Sequence, residues 1–106
     1  MSERLPSHRE VEILGILIHG RKYGREIREE YQRRTGRTFP LGSLYTTLDR
    51  MEAKGLLKSQ MGDASSERGG NRRRYFKLTA PGTRAFNAAT EWAAGLAQGG
   101  QVYGGR

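Results

Sequence analysis

Apolar positions recur along this chain in steps of three and four, give way twice to strict alternation, and are punctuated by glycine. The clearest stretch holds Leu41, Leu44, Tyr45, Leu48 and Met51 at i, i+3, i+4, i+7 and i+10. That spacing predicts one buried helix face over about 41–54. Gly55 ends the helix, because a residue without a Cβ can take the left-handed conformation that satisfies the last carbonyls. The opposite face carries Ser43, Thr46, Thr47, Arg50 and Lys54, hydroxyls and cations of the kind that reach phosphates and base edges.

Upstream, Ser7 and Glu10 form a capping-box pair opening a helix over about 8–19. It buries Val11, Leu14, Leu17 and Ile18, with Ile13 and Ile16 widening the stripe and Gly20 stopping it. A second helix over about 23–35 has Ile27 and Tyr31 at i, i+4 and Gly36 as terminator, with Glu29 set to pair with Arg33. Thr38-Phe39-Pro40 is the turn into the third helix, since the residue before proline is pushed out of helical geometry.

Past Gly55 the period changes. Leu57, Ser59 and Met61 alternate with Leu56, Lys58 and Gln60, and 73–79 alternates again with Phe76 and Leu78 on one face. The residues between, Gly62 to Asn71, are polar turn formers, so the two strands predict a β-hairpin with a flexible basic tip. In this hairpin Arg72 and Arg74 are expected on the solvent face, with Arg73 partly covering it. Thr79 then caps a last helix over about 80–97, with Pro81 in its first turn and Phe86, Ala89, Trp92 or Ala93, and Leu96 along one stripe. From Gly99 the sequence has no periodicity and reads as a tail.

Together these elements predict an α+β, mainly α chain. It is a winged helix-turn-helix of three helices and a two-stranded β-hairpin wing, followed by one C-terminal helix. Residues 1–79 form the winged unit, 80–98 the last helix and 99–106 the tail.

Charge sharpens this picture. The 106 residues carry a formal net charge of +8, which favours a polyanionic partner. Residues 20–37 hold seven cations against three carboxylates, and 68–79 hold five cations with no acid. Either cluster alone could be a solvated face; two of them flanking one polar-faced helix point to nucleic acid. Without cysteine there is neither a disulfide nor a thiolate metal site. His8 and His19 stand three helical turns apart, so no metal or cofactor is expected, and no nucleophile-and-base set suggests an enzyme. Gly69-Gly70 lacks the framework of a phosphate-binding loop. No apolar run resembles a signal peptide or approaches a bilayer span, so the expected compartment is the cytoplasm.

Two motifs carry a family resemblance: Gly42-x-Leu44-Tyr45-x-x-Leu48-x-Arg50-Met51-Glu52-x-x-Gly55-Leu56, then Gly70-Asn71-Arg72-Arg73-Arg74-Tyr75-Phe76-x-Leu78-Thr79-x-x-Gly82. With Tyr23-Gly24 opening the second helix, the chain resembles the PadR family of bacterial transcriptional regulators over about residues 10–96. The resemblance implies a DNA-binding repressor whose third helix enters the major groove, with Ser43, Tyr45, Thr46, Thr47 and Arg50 at or near the DNA. It also implies Lys22 and Tyr23 near a phosphate, and Arg72, Arg73 and Arg74 reaching along the backbone or minor groove. At Tyr45 core packing is the favoured role.

Family members dimerise through the last helix, which implies a homodimer contacting a near-palindromic operator, with Phe86, Ala89, Trp92, Ala93 and Leu96 at the interface. Some relatives bind planar aromatic compounds there, so a small aromatic effector is the further expectation, although Trp92 reads first as an interface anchor. The chain departs from the family in three places: Met51 replaces a frequent leucine, Thr46 a frequent proline, and the C-terminal part is short. An alternative reading is a winged-helix interaction module that grips an acidic protein.

Overall fold

The computed structural model describes residues 6–62 and 72–99, the last four by backbone alone. Helix α1 (His8–Leu17) opens on the expected capping box: the Ser7 hydroxyl accepts from the Glu10 N–H at 3.1 Å, and the Glu10 carboxylate accepts from the Ser7 N–H at 3.0 Å. Glu10 is also buried, and Lys54 at the end of the third helix donates to it at 3.0 Å. One carboxylate therefore caps α1 and ties it to the far end of the third helix. Lys54 is thereby taken out of the polar face on which its spacing placed it.

A two-residue strand β1 (Lys22–Tyr23) precedes α2 (Gly24–Thr35), which ends on Gly36 at φ 75°. Arg33 and Arg34 both turn to Glu30 rather than Arg33 to Glu29, so the expected i, i+4 pair is replaced by a fork on one carboxylate. Helix α3 (Leu41–Ala53) buries Leu44, Leu48 and Met51, with Leu41 and Tyr45 half-buried at its wing side, and Gly55 follows at φ 82°. Strands β2 (Leu57–Met61) and β3 (Arg74–Leu78) pair antiparallel, Leu57 opposite Leu78 and Met61 opposite Arg74. Helix α4 (Ala80–Gly99) completes the described residues, with the Thr79 hydroxyl capping it by accepting from the Gly82 N–H at 3.0 Å.

The sheet has three strands in the order β1-β3-β2, one more than the hairpin expected. Lys22 pairs with Phe76 and Tyr23 with Tyr75. This pairing anchors the wing to the start of α2. A single core gathers Ile13, Leu14, Ile16 and Leu17 of α1, Ile27 and Tyr31 of α2, Phe39, the buried face of α3, Leu57 and Phe76. Val11 and Ile18, expected in the core, are only half-buried; Ile13 and Ile16 take the inner positions instead. Most of the loop expected between Gly62 and Asn71, and the tail beyond Gly99, lie outside the described residues.

Candidate nucleic-acid interface

The turn at Phe39-Pro40 sets the start of α3 free of any side-chain cap, so its first-turn amides face outward at the positive end of the helix. Gly42 in this turn has open space where a Cβ would stand. Behind it, Ser43, Thr46 and Arg50 are exposed and Thr47 is half-exposed. Thr46 donates its hydroxyl proton to the Gly42 carbonyl at 3.1 Å, and Thr47 donates to Ser43 at 2.9 Å. Each hydroxyl proton is thus committed to the helix backbone, which leaves the oxygen as an acceptor. Arg50 is exposed, and among the described residues no carboxylate pairs with it.

Tyr45 is half-buried. Its phenol lies directly on Gly24, where a Cβ would overlap the ring and its hydroxyl, and its ring centroid is 6.3 Å from that of Phe76. Packing is therefore a role Tyr45 holds in the free protein, and its hydroxyl sits at the opening of α2.

The wing root faces the same side. Tyr23 and Tyr75, opposite one another in the sheet, meet edge to face at 5.5 Å, and Arg73 lies 4.4 Å above the Tyr23 ring and Arg21 4.2 Å above Tyr75. The outcome is a ladder of guanidinium and aromatic groups along β1 and β3, each cation held in place while still charged. Arg72 is exposed and donates from Nε to the Gly62 carbonyl at 2.9 Å. Between the ladder, the start of α2 and the start of α3 runs a cleft of about 370 Å³. Tyr23, Arg25, Leu41, Tyr45, Met61, Arg72, Arg73 and Arg74 line it, four arginines and, among the described residues, no carboxylate.

Arg74 is placed otherwise than expected. It points inward, beside Phe76, with the ring centroid 4.8 Å from its guanidinium, and its Nη2 lies 2.9 Å from both Asp49 and Glu52 of α3. The parity of the strand is the reason: residues 74, 76 and 78 share a side, and Phe76 is buried. Of the expected DNA-facing set, the structure brings Tyr23, Tyr45, Arg72, Arg73 and Arg74 to one cleft and Ser43, Thr46, Thr47 and Arg50 to the adjoining helix face. Lys22 is half-buried on β1 and does not line the cleft. Sequence reasoning passed over Arg25 and Met61; for Arg25 the signal available was membership of the first basic cluster.

On α4, Phe86 packs back on the core, close enough to Gly15 that a Cβ there would lie 3.1 Å from its ring. Ala89 is half-buried, Ala93 exposed and Trp92 65% exposed; the side chain of Leu96 lies outside the described residues. Among the described residues no helix is long and apolar enough to cross a membrane.

The family model for the transcriptional regulator PadR-like family matches residues 13–88. An uncharacterized protein of Lysinibacillus sphaericus is 30% identical over 95 residues, spanning 87% of this chain and 84% of its own. The crystal structure of a PadR family transcription regulator from hypervirulent Clostridium difficile R20291 is similar at a TM-score of 0.70 and 29% identity, covering 92% of this chain and 100% of that one. Bacillus subtilis PadR in complex with operator DNA aligns at a TM-score of 0.69 over 78% of this chain and 46% of that one; at 16% identity the likeness is one of fold.

Proposed function

The chain belongs to the PadR-like family of transcriptional regulators, and from that premise we propose that it works as a homodimeric repressor reading a near-palindromic operator. The observation that carries the reading is the arginine-lined cleft opening beside the exposed polar face of α3. In this reading α3 lies in the major groove, where Ser43, Thr46, Thr47 and Arg50 meet base edges and flanking phosphates. Its uncapped first turn, with Lys22, Tyr23 and Arg25 at the opening of α2, meets the backbone. Arg72 and Arg73 follow the strand along the wing.

The exposed Trp92, with Ala89 and Ala93 beside it, is the surface on which a second copy packs, together with Leu96. Pairing there sets two α3 helices about one DNA turn apart, roughly 34–36 Å. A planar aromatic effector would act at the same surface by changing the angle between the two helices. Action on chromosomal DNA places the protein in the cytoplasm.

The test is the mass in solution by light scattering, joined to affinity for the intergenic DNA upstream of its own gene at two salt concentrations. A particle of twice the 11.9 kDa chain mass that prefers this fragment over random duplex, with affinity falling steeply in salt, supports the reading. A monomer that binds every duplex equally and weakly overturns it and turns attention to an acidic protein partner.

A further inference from the structure

Asp49 and Glu52 stand at i and i+3 on α3, the helix read above as the one that enters DNA, and both lie on its wing side. Two carboxylates there would repel the phosphates that the neighbouring arginines attract. The Arg74 Nη2 bridges them, 2.9 Å from Asp49 Oδ1 and 2.9 Å from Glu52 Oε1. Glu52 is fixed from the other strand as well, accepting from the Ser59 N–H at 3.2 Å and from the Ser59 hydroxyl at 3.0 Å. Both strands of the wing therefore converge on one carboxylate of α3. Arg74 itself is only 34% exposed and lies against the buried Phe76 ring.

We infer that Arg74 is a positioning residue for DNA binding: it neutralises Asp49 and Glu52 and locks the wing to α3, leaving the phosphates to Arg72 and Arg73. The inference rests on the DNA-binding reading of this face. It divides three consecutive arginines by role. Arg72 and Arg73 add charge to the contact, while Arg74 removes a repulsion and fixes an angle. The exposed Asp49 becomes the group whose charge Arg74 masks.

The experiment measures affinity of the full chain for a mixed-sequence duplex by fluorescence anisotropy, from roughly 50 to 200 mM salt, the range over which counterion release is read. Arg74→Gln is expected to weaken binding about tenfold at the low end of this range, with a loss that shrinks as salt screens the unmasked carboxylates. Arg72→Gln serves as the comparison and lowers the slope by about 0.9, one phosphate. Adding Asp49→Asn to Arg74→Gln restores most of the affinity, whereas Glu91→Gln, the same charge change on the exposed face of α4, does not.

Failure of Asp49→Asn to restore affinity in the Arg74→Gln chain overturns the inference, because Arg74 is then itself a phosphate ligand. Equal rescue by Glu91→Gln overturns it too, since overall charge would suffice. Urea unfolding of the free protein gives a decision that needs no DNA. Asp49→Asn and Arg74→Gln must be non-additive there, and additivity overturns the clamp. A wild-type chain that binds no duplex at low salt sinks the DNA-binding reading instead, and the unfolding cycle still decides the clamp.

Discussion

Gly82 packs so closely on Leu56 that a Cβ at position 82 would overlap the Leu56 carbonyl oxygen. The same carbonyl accepts the Thr79 N–H at 3.1 Å, and the Thr79 hydroxyl donates to the Gly55 carbonyl at 2.6 Å while accepting from the Gly82 N–H. The end of one sequence motif, Gly55-Leu56, and the end of the other, Leu78-Thr79-x-x-Gly82, are thus two halves of one joint. It fixes where α3 ends and where α4 departs.

Gly82→Ala is therefore expected to cost about 2–3 kcal/mol, because backbone rather than a flexible side chain must move to make room. Gly42→Ala is the matched control: the site is helical and open, so alanine there should stabilise by up to about 1 kcal/mol. Urea unfolding of both variants checks the pair, and similar midpoints for the two would contradict the close approach.

Gly24 and Tyr45 form a second contact of this kind, now inside the candidate interface. A methyl at position 24 must push the phenol off the start of α2. Gly24→Ala is expected to destabilise by about 1–3 kcal/mol and to weaken DNA binding. In a Tyr45→Leu background the same substitution should cost much less, since the overlapping atoms are gone. A double-mutant cycle measures the difference.

Arg50 separates affinity from stability. It is exposed and, among the described residues, unpaired with any carboxylate, so Arg50→Ala should change unfolding free energy by no more than about 0.5 kcal/mol. Against the operator the same change is expected to cost about 1–3 kcal/mol and to relax preference at one base position. Competition binding against single-position operator variants reads this directly. A uniform loss across all variants would make Arg50 a phosphate contact instead.

The sequence's periodicity made the helices, their glycine stops and the Ser7–Glu10 capping box legible, because each depends on residues within one or two turns. Strand β1 was not legible. Two residues carry no alternation, and Lys22–Tyr23 is a strand only because the edge of β3 lies beside it. Arg74 was half-legible: the alternation that turns Phe76 and Leu78 inward turns Arg74 with them, but the carboxylates that receive it come from α3. Pairing across elements, such as Lys54 with Glu10 over 44 positions, leaves no local trace. The cleft was foreseen as a charge cluster and not as a shape, which is why Arg25 and Met61 entered only with the fold.

A last relationship lies away from the interface. Tyr31, 1% exposed, donates its hydroxyl to Glu12 at 2.9 Å, and Arg37 donates both to that carboxylate, at 3.0 Å, and to the phenol oxygen, at 3.1 Å. Together the Tyr31 hydroxyl and Glu12 hold the Arg37 guanidinium above its already high ordinary pKa. A raised value means that any stability from this charge is complete below the unfolded-state pKa and fades only at extreme alkaline pH, so Arg37 brings no pH dependence to the working range. Tyr31→Phe keeps the packing and removes the bridge, with an expected cost of about 1–2 kcal/mol. Arg37→Gln, at a more exposed position, should cost less. Since both act through Glu12, the double variant should lose less than the two single losses added together, and urea unfolding of the four proteins tests it. Strict additivity would mean that Tyr31 stabilises α1 and α2 through its ring alone.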